Sequence, residues 1–333
     1  MGDIEVNKRH VLSKANGHFA MSAYLQNLCC YEGANAVFET ASATLHLMLG
    51  IDVTAKQIER ISHFYGEEMG KLQDVSPVSN TLPETSKQPS QPSQVYYAMM
   101  DGAMIFTRED GWKEVKLGRG FSAAEHIKRP EHKRNLILQS EYIGHIGTHT
   151  DFLEKFDRLI QPHAKEAVFV CDGAPWIWNW VDDHYLRNTQ ILDYFHAKEH
   201  LCEFAESCFD DKKAREKWIK EQENLLLKDA VKQVINNILQ LPLTTEMQQK
   251  KQKALVNYYQ TNAKRMIYGS FRKRGLLIGS GPIEAANKTV IQQRLKLSGQ
   301  RWTLSGAQQI LNLRTTFFSN QQQKLLNCIK MAA

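Results

Sequence analysis

The 333-residue sequence lacks several features that would assign it to a specialised class of protein. No window reaches the ~18 uninterrupted apolar residues of a membrane helix, so no membrane partner is expected. The first twenty residues include Lys8, Arg9 and Lys14 but no apolar stretch behind them, which predicts a cytoplasmic protein without a signal peptide. The six cysteines contain no Cys-x-x-Cys pair and no regular spacing, which argues against a disulfide framework and against a structural zinc site.

Proline is also scarce, and its distribution marks one boundary. Four of the nine prolines lie in residues 74–94, where Ser, Thr and Gln replace large apolar side chains. A segment of this composition cannot build a core, so we predict a linker. It would separate a helical segment at 1–73 from a larger domain at 95–318, and residues 319–333 would form a C-terminal tail.

The apolar spacing before this linker predicts two helices with a short break between them. Gly50 can end the first helix, and Thr54 can cap the second, with Gln57 completing a capping-box pattern. Two helices joined in this way resemble a helix-turn-helix, in which the second helix would present Lys56 and Arg60 to DNA. The same pattern also fits two helices that only pack against each other.

The remaining apolar pattern indicates an α/β domain interrupted by helices. Residues 112–117 read as a strand and residues 151–160 as a helix. From residue 189 to about 265 the pattern is almost wholly helical, and further helices are predicted at 281–297 and 304–326.

Two β-rich apolar runs are each followed by an acidic residue. The runs at 95–100 and 167–171 end at Asp101 and Asp172, so we expect each carboxylate at the exit of a buried strand. Glu284 is expected in the first turn of a helix opened by a Gly-Ser-Gly-Pro sequence. Carboxylates from separate elements are the ligands that a pair of Mg²⁺ ions prefers. Taken singly, an Asp-Gly pair after a strand is commonly a turn, and a Glu near a helix start is commonly a cap.

Basic residues are concentrated near the third acid. The chain has 42 Lys and Arg against 36 Asp and Glu, and nine basic residues but only one acid, Glu284, fall within residues 264–301. Such a cluster suits phosphate neutralisation, although a solvated basic face has the same composition. The residues expected to contact DNA here are Lys288, Arg294, Lys296, Arg301 and Trp302.

Four stretches of the chain resemble the DDE transposases of bacterial insertion sequences, in particular the ISKra group. They are MMDGAMIFTREDGWKEVKLGRGF, VFVCDGAPWIWNW, QILDYFHAKEHL and IGSGPIEAANKTVIQQRLKLSGQRWTLSGAQQILNLR, and the resemblance covers roughly residues 95–315. It implies an RNase H-like mixed sheet with an α-helical insertion at about 200–270, preceded by a small helical N-terminal domain. It also implies that Asp101, Asp172 and Glu284 are catalytic and hold two Mg²⁺ or Mn²⁺ ions.

The resemblance implies further residues and partners. His196 matches the histidine of an Asp-x-x-His signature near the scissile phosphate, and Trp178 is our candidate for stacking on an unpaired base. The expected partner is double-stranded DNA, namely the terminal inverted repeats of an element and its target. A homodimer or a larger synaptic assembly would bring two ends together, associated with the bacterial nucleoid when bound to DNA.

Two alternative interpretations remain open. One is a DNA-binding descendant of a transposase that no longer cuts. The other is a zinc peptidase, because His196-Ala-Lys-Glu199-His200 satisfies the His-x-x-Glu-His pattern, in which two histidines bind Zn²⁺. The second interpretation leaves the basic cluster and both Asp-Gly pairs unexplained.

Overall fold

The computed structural model describes residues 18–75, 95–127, 129, 131 and 135–332. The described chain has a mixed α/β fold with one five-stranded mixed sheet, one two-stranded sheet and many helices. Most of the predicted linker, residues 76–94, lies outside the described residues. No helix within the described ranges combines the length and the apolar character that crossing a bilayer requires.

The first elements in chain order are α1 (Ala23–Asn35), α2 (Phe38–Leu49), α3 (Ala55–Val75), β1 (Tyr96–Thr107), β2 (Gly111–Ser122), β3 (His126–Ile127), β4 (Leu136–Ile137), β5 (Glu141–Ile146), α4 (His149–Ile160), β6 (Ala167–Cys171), α5 (Pro175–His184) and β7 (Thr189–Leu192). The later helices are α6 (Tyr194–Cys208), α7 (Lys212–Leu226), α8 (Val231–Leu239), α9 (Glu246–Asn262), α10 (Tyr268–Lys273), α11 (Gly281–Ala286), α12 (Gln293–Leu295), α13 (Leu304–Phe318) and α14 (Gln322–Ala332). A π-helical turn at Asn287–Gln292 joins α11 to α12.

The five-stranded sheet has the strand order β5-β2-β1-β6-β7. Its antiparallel part includes the pair β2 and β5. Its parallel part consists of β1, β6 and β7, with Ala98 opposite Phe169 and Cys171 opposite Leu192. Strands β6 and β7 are short and almost wholly buried, as expected of parallel strands.

Contacts group the chain into two units that differ from the predicted domains. The first unit contains residues 1–92, 102–162 and 285–333, and the second contains residues 93–101 and 163–284. The chain changes from the first unit to the second before residue 95, whereas residue 319 lies inside the first unit.

In the first unit, the N-terminal helices share a hydrophobic core with α13 and α14. Its buried side chains include Cys30, Ile61, Tyr65, Leu313, Leu325 and Ile329. Helix α3 approaches α13 so closely that a Cβ atom on Gly66 would lie 2.2 Å from the carbonyl oxygen of Gln309. In this core, α3 before the predicted linker and α14 in the predicted C-terminal tail both bury apolar side chains against α13.

A buried arginine connects helices distant in sequence within this unit. Arg314 on α13 donates to the carbonyl oxygens of Ala34 and Val290, both at 2.5 Å, and to the carbonyl oxygen of Thr289. The Ala34 carbonyl belongs to the last turn of α1, whose C-terminal carbonyls have no partner inside their own helix. Arg314 therefore supplies a hydrogen-bond donor to a carbonyl group at the C-terminal end of α1.

The predicted helix-break-helix is present in the first unit. Gly50 ends α2 in the left-handed conformation, with φ of 65°, and its N–H donates to the carbonyl oxygen of His46 at 2.8 Å. The N–H of Gln57 donates to the Thr54 hydroxyl at 3.3 Å, as expected for a capped helix start. The local structure was thus readable from the sequence, whereas its DNA-reading role stays a prediction.

In the second unit, β7 is followed by helices α6 to α10, which together form the helical block. Side-chain caps begin three of them, with Asp193 at α6, Asp211 at α7 and Thr245 at α9. Tyr259 of α9 is buried, and its hydroxyl donates to the Ala197 carbonyl of α6 at 2.8 Å. This contact joins α9 to α6, the first helix after β7.

Some predicted element boundaries were wrong. Asp101 does not follow its strand but lies inside β1, which continues to Thr107 because the hairpin partner β2 extends the pairing. The helix expected at 281–297 is interrupted by a π-helical turn, and the helix expected at 304–326 is two helices with Asn320 at positive φ between them. By contrast, α4 and β6 agree with the predicted helix and strand.

Candidate active site

Three aspartates lie at equivalent positions on the parallel strands of the second unit. Continuing the registers of β1, β6 and β7 by a few residues places Asp101, Asp172 and Asp193 side by side, with ~4.8 Å between neighbouring strands. Burial raises the pKa of the Cys171 thiol, and the charges of Asp172, Asp101 and Asp193 raise it further. All three carboxylates therefore lie near the last residue of β6.

Asp101 and Asp172 line a cavity of about 610 Å³, which is also lined by Glu284 and His196. Every side chain of this cavity belongs to the second unit. The structure thus brings together the four residues predicted to be catalytic. The other residues around the cavity are Met100, Phe195, Lys198, Glu199, Cys202 and Ser280.

Asp172 is held by the turn between β6 and α5. Its Oδ1 accepts a hydrogen bond from the N–H of Ala174 at 3.0 Å, and its carbonyl oxygen accepts one from Nε1 of Trp178 at 2.6 Å. The Trp178 side chain is only 4% exposed, and the guanidinium of Arg265 lies 4.4 Å from its ring centroid. The Trp178 indole is thus buried and orients the Asp172 backbone, and its stacking on a DNA base stays a prediction.

Glu284 is exposed in the first turn of α11, and its Oε1 lies 3.1 Å from the Ser280 hydroxyl. The same hydroxyl contacts Oδ2 of Asp193, so its single proton serves one carboxylate at a time. Asp193 is 1% exposed and also accepts from the N–H of Phe195 at 2.7 Å. Asp193 and Ser280 therefore hold the start of α6 next to the segment that carries Glu284.

Asp193 was not among the predicted site residues, although its carboxylate lies beside those of Asp101 and Asp172. Asp193 is the first residue of the Asp-x-x-His signature, of which only His196 was predicted to be a site residue. The available signal was the third apolar run, Gln190-Ile-Leu192, which ends at an aspartate as the two earlier runs do. A search for every strand-terminal aspartate would have found it.

His196 lies on the first turn of α6, half-buried, with Nδ1 3.7 Å from a carboxylate oxygen of Glu199. The His196 and His200 rings are 5.4 Å apart between centroids. Among the described residues, no three His, Cys, Asp or Glu side chains are arranged to hold a metal ion. This arrangement gives no support to the zinc peptidase interpretation, which needs both histidines and a third ligand.

The carboxylates of the cavity also lack a preformed metal-binding geometry among the described residues. Asp101, Asp172 and Glu284 supply the hard oxygen donors that Mg²⁺ and Mn²⁺ prefer, and all three line one cavity. As placed, they do not converge on a common point. Glu284 is exposed and contacts only the shared Ser280 hydroxyl among its described polar contacts, so side-chain rotation on the ps–ns scale can bring it inward. The donor set fits the expected ions in kind and location.

The predicted DNA-contacting residues divide by exposure. Lys288, Lys296 and Arg301 are exposed in the first unit, where phosphate can reach them. Lys56 and Arg60 are exposed on α3, and the Lys56 ammonium pairs with Glu59 at 2.8 Å. These five positions stay predictions.

Arg294 and Trp302 are buried, at 1% and 8% exposure. Nε of Arg294 donates to the Gly33 carbonyl oxygen at 3.0 Å, and its guanidinium lies 4.9 Å from the Phe38 ring and 4.8 Å from the Trp302 ring. The Trp302 indole donates to the Leu295 carbonyl at 3.1 Å. Both side chains therefore pack inside the first unit and stabilise it, and their contact with DNA stays a prediction.

The chain is similar to a curated protein over most of its length. No family model matches the chain. The chain is 25% identical over 289 residues to a curated Streptococcus gallolyticus protein described as "UPF0236 protein in vanSb 3'region". The alignment covers 84% of this chain but 59% of that protein, so the chain spans about three fifths of the length of the curated relative that it matches.

Proposed function

We propose that this protein is a DDE-type transposase that cleaves DNA strands and joins them to a target in a metal-dependent reaction. The proposal includes an RNase H-like fold for the parallel strands and their helices, with the helical block as an insertion. Its substrates would be the terminal inverted repeats of an insertion sequence and a target duplex, brought together by a dimer or a larger assembly.

One observation carries this proposal. Asp101, Asp172 and Glu284 are far apart in the sequence, yet they line the same cavity within one unit. Three acidic side chains in one cavity repel one another, and Lys198 in the cavity lining is already paired with Glu223, so such a group is unfavourable for a purely structural role. Metal-dependent phosphoryl transfer would account for this arrangement, because the bound cations offset the repulsion among the carboxylates.

The residues of the chain would divide the work as follows. Asp101, Asp172 and Glu284 would hold two Mg²⁺ or Mn²⁺ ions. When bound, the ions would supply activation of the attacking oxygen and neutralisation of the negative charge at the phosphate. Asp193 and Ser280 position Glu284, and His196 lies at the cavity wall where it can donate to a phosphate oxygen. Lys288, Lys296 and Arg301 would contact the DNA backbone.

A second candidate function is a DNA-binding protein that no longer cuts. The observation that favours it is the lack of convergence of the carboxylates in the described residues. It accounts for the exposed basic residues equally well, but it leaves the shared position of the three acids without a role.

The test compares movement of the gene with its native flanks in a heterologous bacterium between the wild type and two variants, Asp172→Asn and Glu284→Gln. Asp183→Asn is the matched control, because Asp183 is an exposed carboxylate on α5 that lies outside the cavity. DNA binding by each purified protein is measured separately by fluorescence anisotropy on the flanking duplex. We expect both cavity variants to lose movement but keep DNA binding, and the control to keep both.

Three other outcomes would overturn the assignment. Movement that survives Asp172→Asn or Glu284→Gln would exclude those side chains as ligands. Wild-type protein that binds the flanks but neither cuts nor moves them with Mg²⁺ or Mn²⁺ would favour the binding-only function. Loss of movement in Asp183→Asn as well would mean that the assay reports a general effect of charge.

A further inference from the structure

One tyrosine of the helical block reaches the turn that carries Asp172. Tyr258 on α9 lies so close to Gly173 that a Cβ atom there would be 2.1 Å from its Cε2 and 2.5 Å from its hydroxyl oxygen. On another side, the Tyr258 ring meets the His200 ring in a T-shaped contact with 4.8 Å between centroids. The phenol is thus held between the residue after Asp172 and helix α6.

The Tyr258 hydroxyl is the unusual part of this contact. It is buried and has no hydrogen-bond partner within the described part of the chain. Buried hydroxyls in native proteins are nearly always paired, because an unpaired one loses its bonds to water without replacement. The phenol is protonated at neutral pH, so it is an available donor.

Two carboxylates lie close enough to the Tyr258 phenol for their charges to act on it. The charges of Asp172 and Asp193 both act on the Tyr258 phenol. Asp193 already has two donors, the N–H of Phe195 and the hydroxyl of Ser280. Asp172 has one side-chain bond, to the N–H of Ala174 at Oδ1, and its second oxygen can accept another.

Tyr258 also has room to adjust. The face of the helical block beside it contains a cavity of about 260 Å³, lined by Tyr258 together with His200, Glu203, Phe204, Lys251 and Leu255. The Tyr258 ring therefore borders open space on this face, which leaves it room to shift. Carboxylates that ligate metal ions are themselves commonly hydrogen-bonded by neighbouring groups, which fix their orientation.

We propose that Tyr258 is a positioning residue for Asp172, and that its hydroxyl donates a hydrogen bond to the Asp172 carboxylate when that carboxylate serves as a metal ligand. This inference rests on the proposed function, because it assigns Asp172 to a divalent ion. It gives the helical block a role in the site: α9 supplies a donor that the strands do not. It also explains the glycine after Asp172, since any side chain there would displace the phenol.

The test measures Mn²⁺ binding directly, from the loss of the free-ion signal in electron paramagnetic resonance, and the melting temperature in a chelator. The variants are Tyr258→Phe, which removes only the hydroxyl, and Tyr259→Phe as the matched control. Tyr259 is the next residue on α9, and its hydroxyl bonds to the Ala197 backbone instead of facing a carboxylate. Asp172→Asn marks the complete loss of the ligand.

We expect Tyr258→Phe to weaken Mn²⁺ binding by roughly 10- to 100-fold with little change in melting temperature. Tyr259→Phe should lower the melting temperature and leave Mn²⁺ binding at the wild-type level. If Asp172→Asn abolishes Mn²⁺ binding while Tyr258→Phe binds as the wild type does, the positioning role is refuted and the proposed function stands. If the wild type itself binds no Mn²⁺, the metal assignment fails and the positioning role fails with it.

Discussion

The burial of Arg294 leads to a prediction that separates structural from DNA-binding arginines. Its guanidinium is 1% exposed, donates to the Gly33 carbonyl and lies within 5 Å of the Phe38 and Trp302 ring centroids. We consider two replacements, Arg294→Met and Arg294→Ala. Methionine keeps most of the side-chain volume, whereas alanine leaves a cavity.

The magnitudes follow from the contacts. The hydrogen bond contributes about 2 kcal/mol and the two ring contacts about 1 kcal/mol each, roughly 4 kcal/mol together. Against this, desolvation lowers the pKa of Arg294 from 12.5 to about 10, which at 1.36 kcal/mol per unit is a cost of about 3 kcal/mol. Arg294→Met should therefore destabilise by only about 1 kcal/mol, since both the contacts and the burial cost disappear. Arg294→Ala should cost about 2–4 kcal/mol because packing is lost as well.

Two assays distinguish this from a DNA contact. Urea unfolding gives the free energy of unfolding, and anisotropy of a labelled duplex at several salt concentrations gives the salt slope of binding. Folded Arg294→Met should keep the wild-type salt slope. The exposed Lys296 supplies the comparison: Lys296→Ala should change stability by less than ~0.5 kcal/mol but reduce the salt slope by about 1. If Arg294→Met weakened DNA binding and lowered the salt slope as Lys296→Ala does, the guanidinium would meet phosphate and our reasoning from burial would be refuted.

Three further predictions concern stability. Gly66→Ala should destabilise by ~1–3 kcal/mol in urea unfolding, because the new methyl group would lie 2.2 Å from the Gln309 carbonyl oxygen; an unchanged midpoint would mean that α3 moves freely away from α13. Thr245→Ala removes the hydroxyl that accepts from the Gln248 N–H in the capping box of α9 and should cost ~1 kcal/mol by the same measurement, and a cost near zero would show that this helix end is frayed. Burial lowers the pKa of His163, which stacks on Tyr96, so the unfolded chain binds its proton more readily and the melting temperature should fall as pH drops below the ordinary value of 6.5. His163→Phe should reduce that fall, and an unchanged pH dependence would exclude the contribution.

Much of the candidate site could be predicted because its signals are local. An apolar run followed by an acid placed Asp172 correctly after β6, and the motif match led to Glu284 and His196. The break at Gly50 and Thr54 was also readable, since a left-handed glycine and a capping hydroxyl act within a few residues. These features depend on the chain near them and little else.

Other features depend on partners distant in sequence. Asp101 lies inside β1 because β2 extends the pairing past it, which the composition of residues 95–100 does not reveal. Counting charges placed Arg294 with the exposed basic residues, but its burial depends on Gly33 and Phe38. The sequence around Tyr258 does not predict its proposed positioning role, because that role follows from its contact with Gly173, which is distant in the sequence.

The arginine contacts of α1 have a consequence for synthesis on the ribosome. In the described part of the chain, the carbonyls of Gly33 and Ala34 accept hydrogen bonds from Arg294 and Arg314, which are 261 and 280 residues further along the sequence. At ~5–20 residues per second, α1 waits on the order of tens of seconds after leaving the exit tunnel before these partners exist. During that time the face of α1 that packs on α13 stays uncovered, so this part of the first unit can form only after α13 has been synthesised.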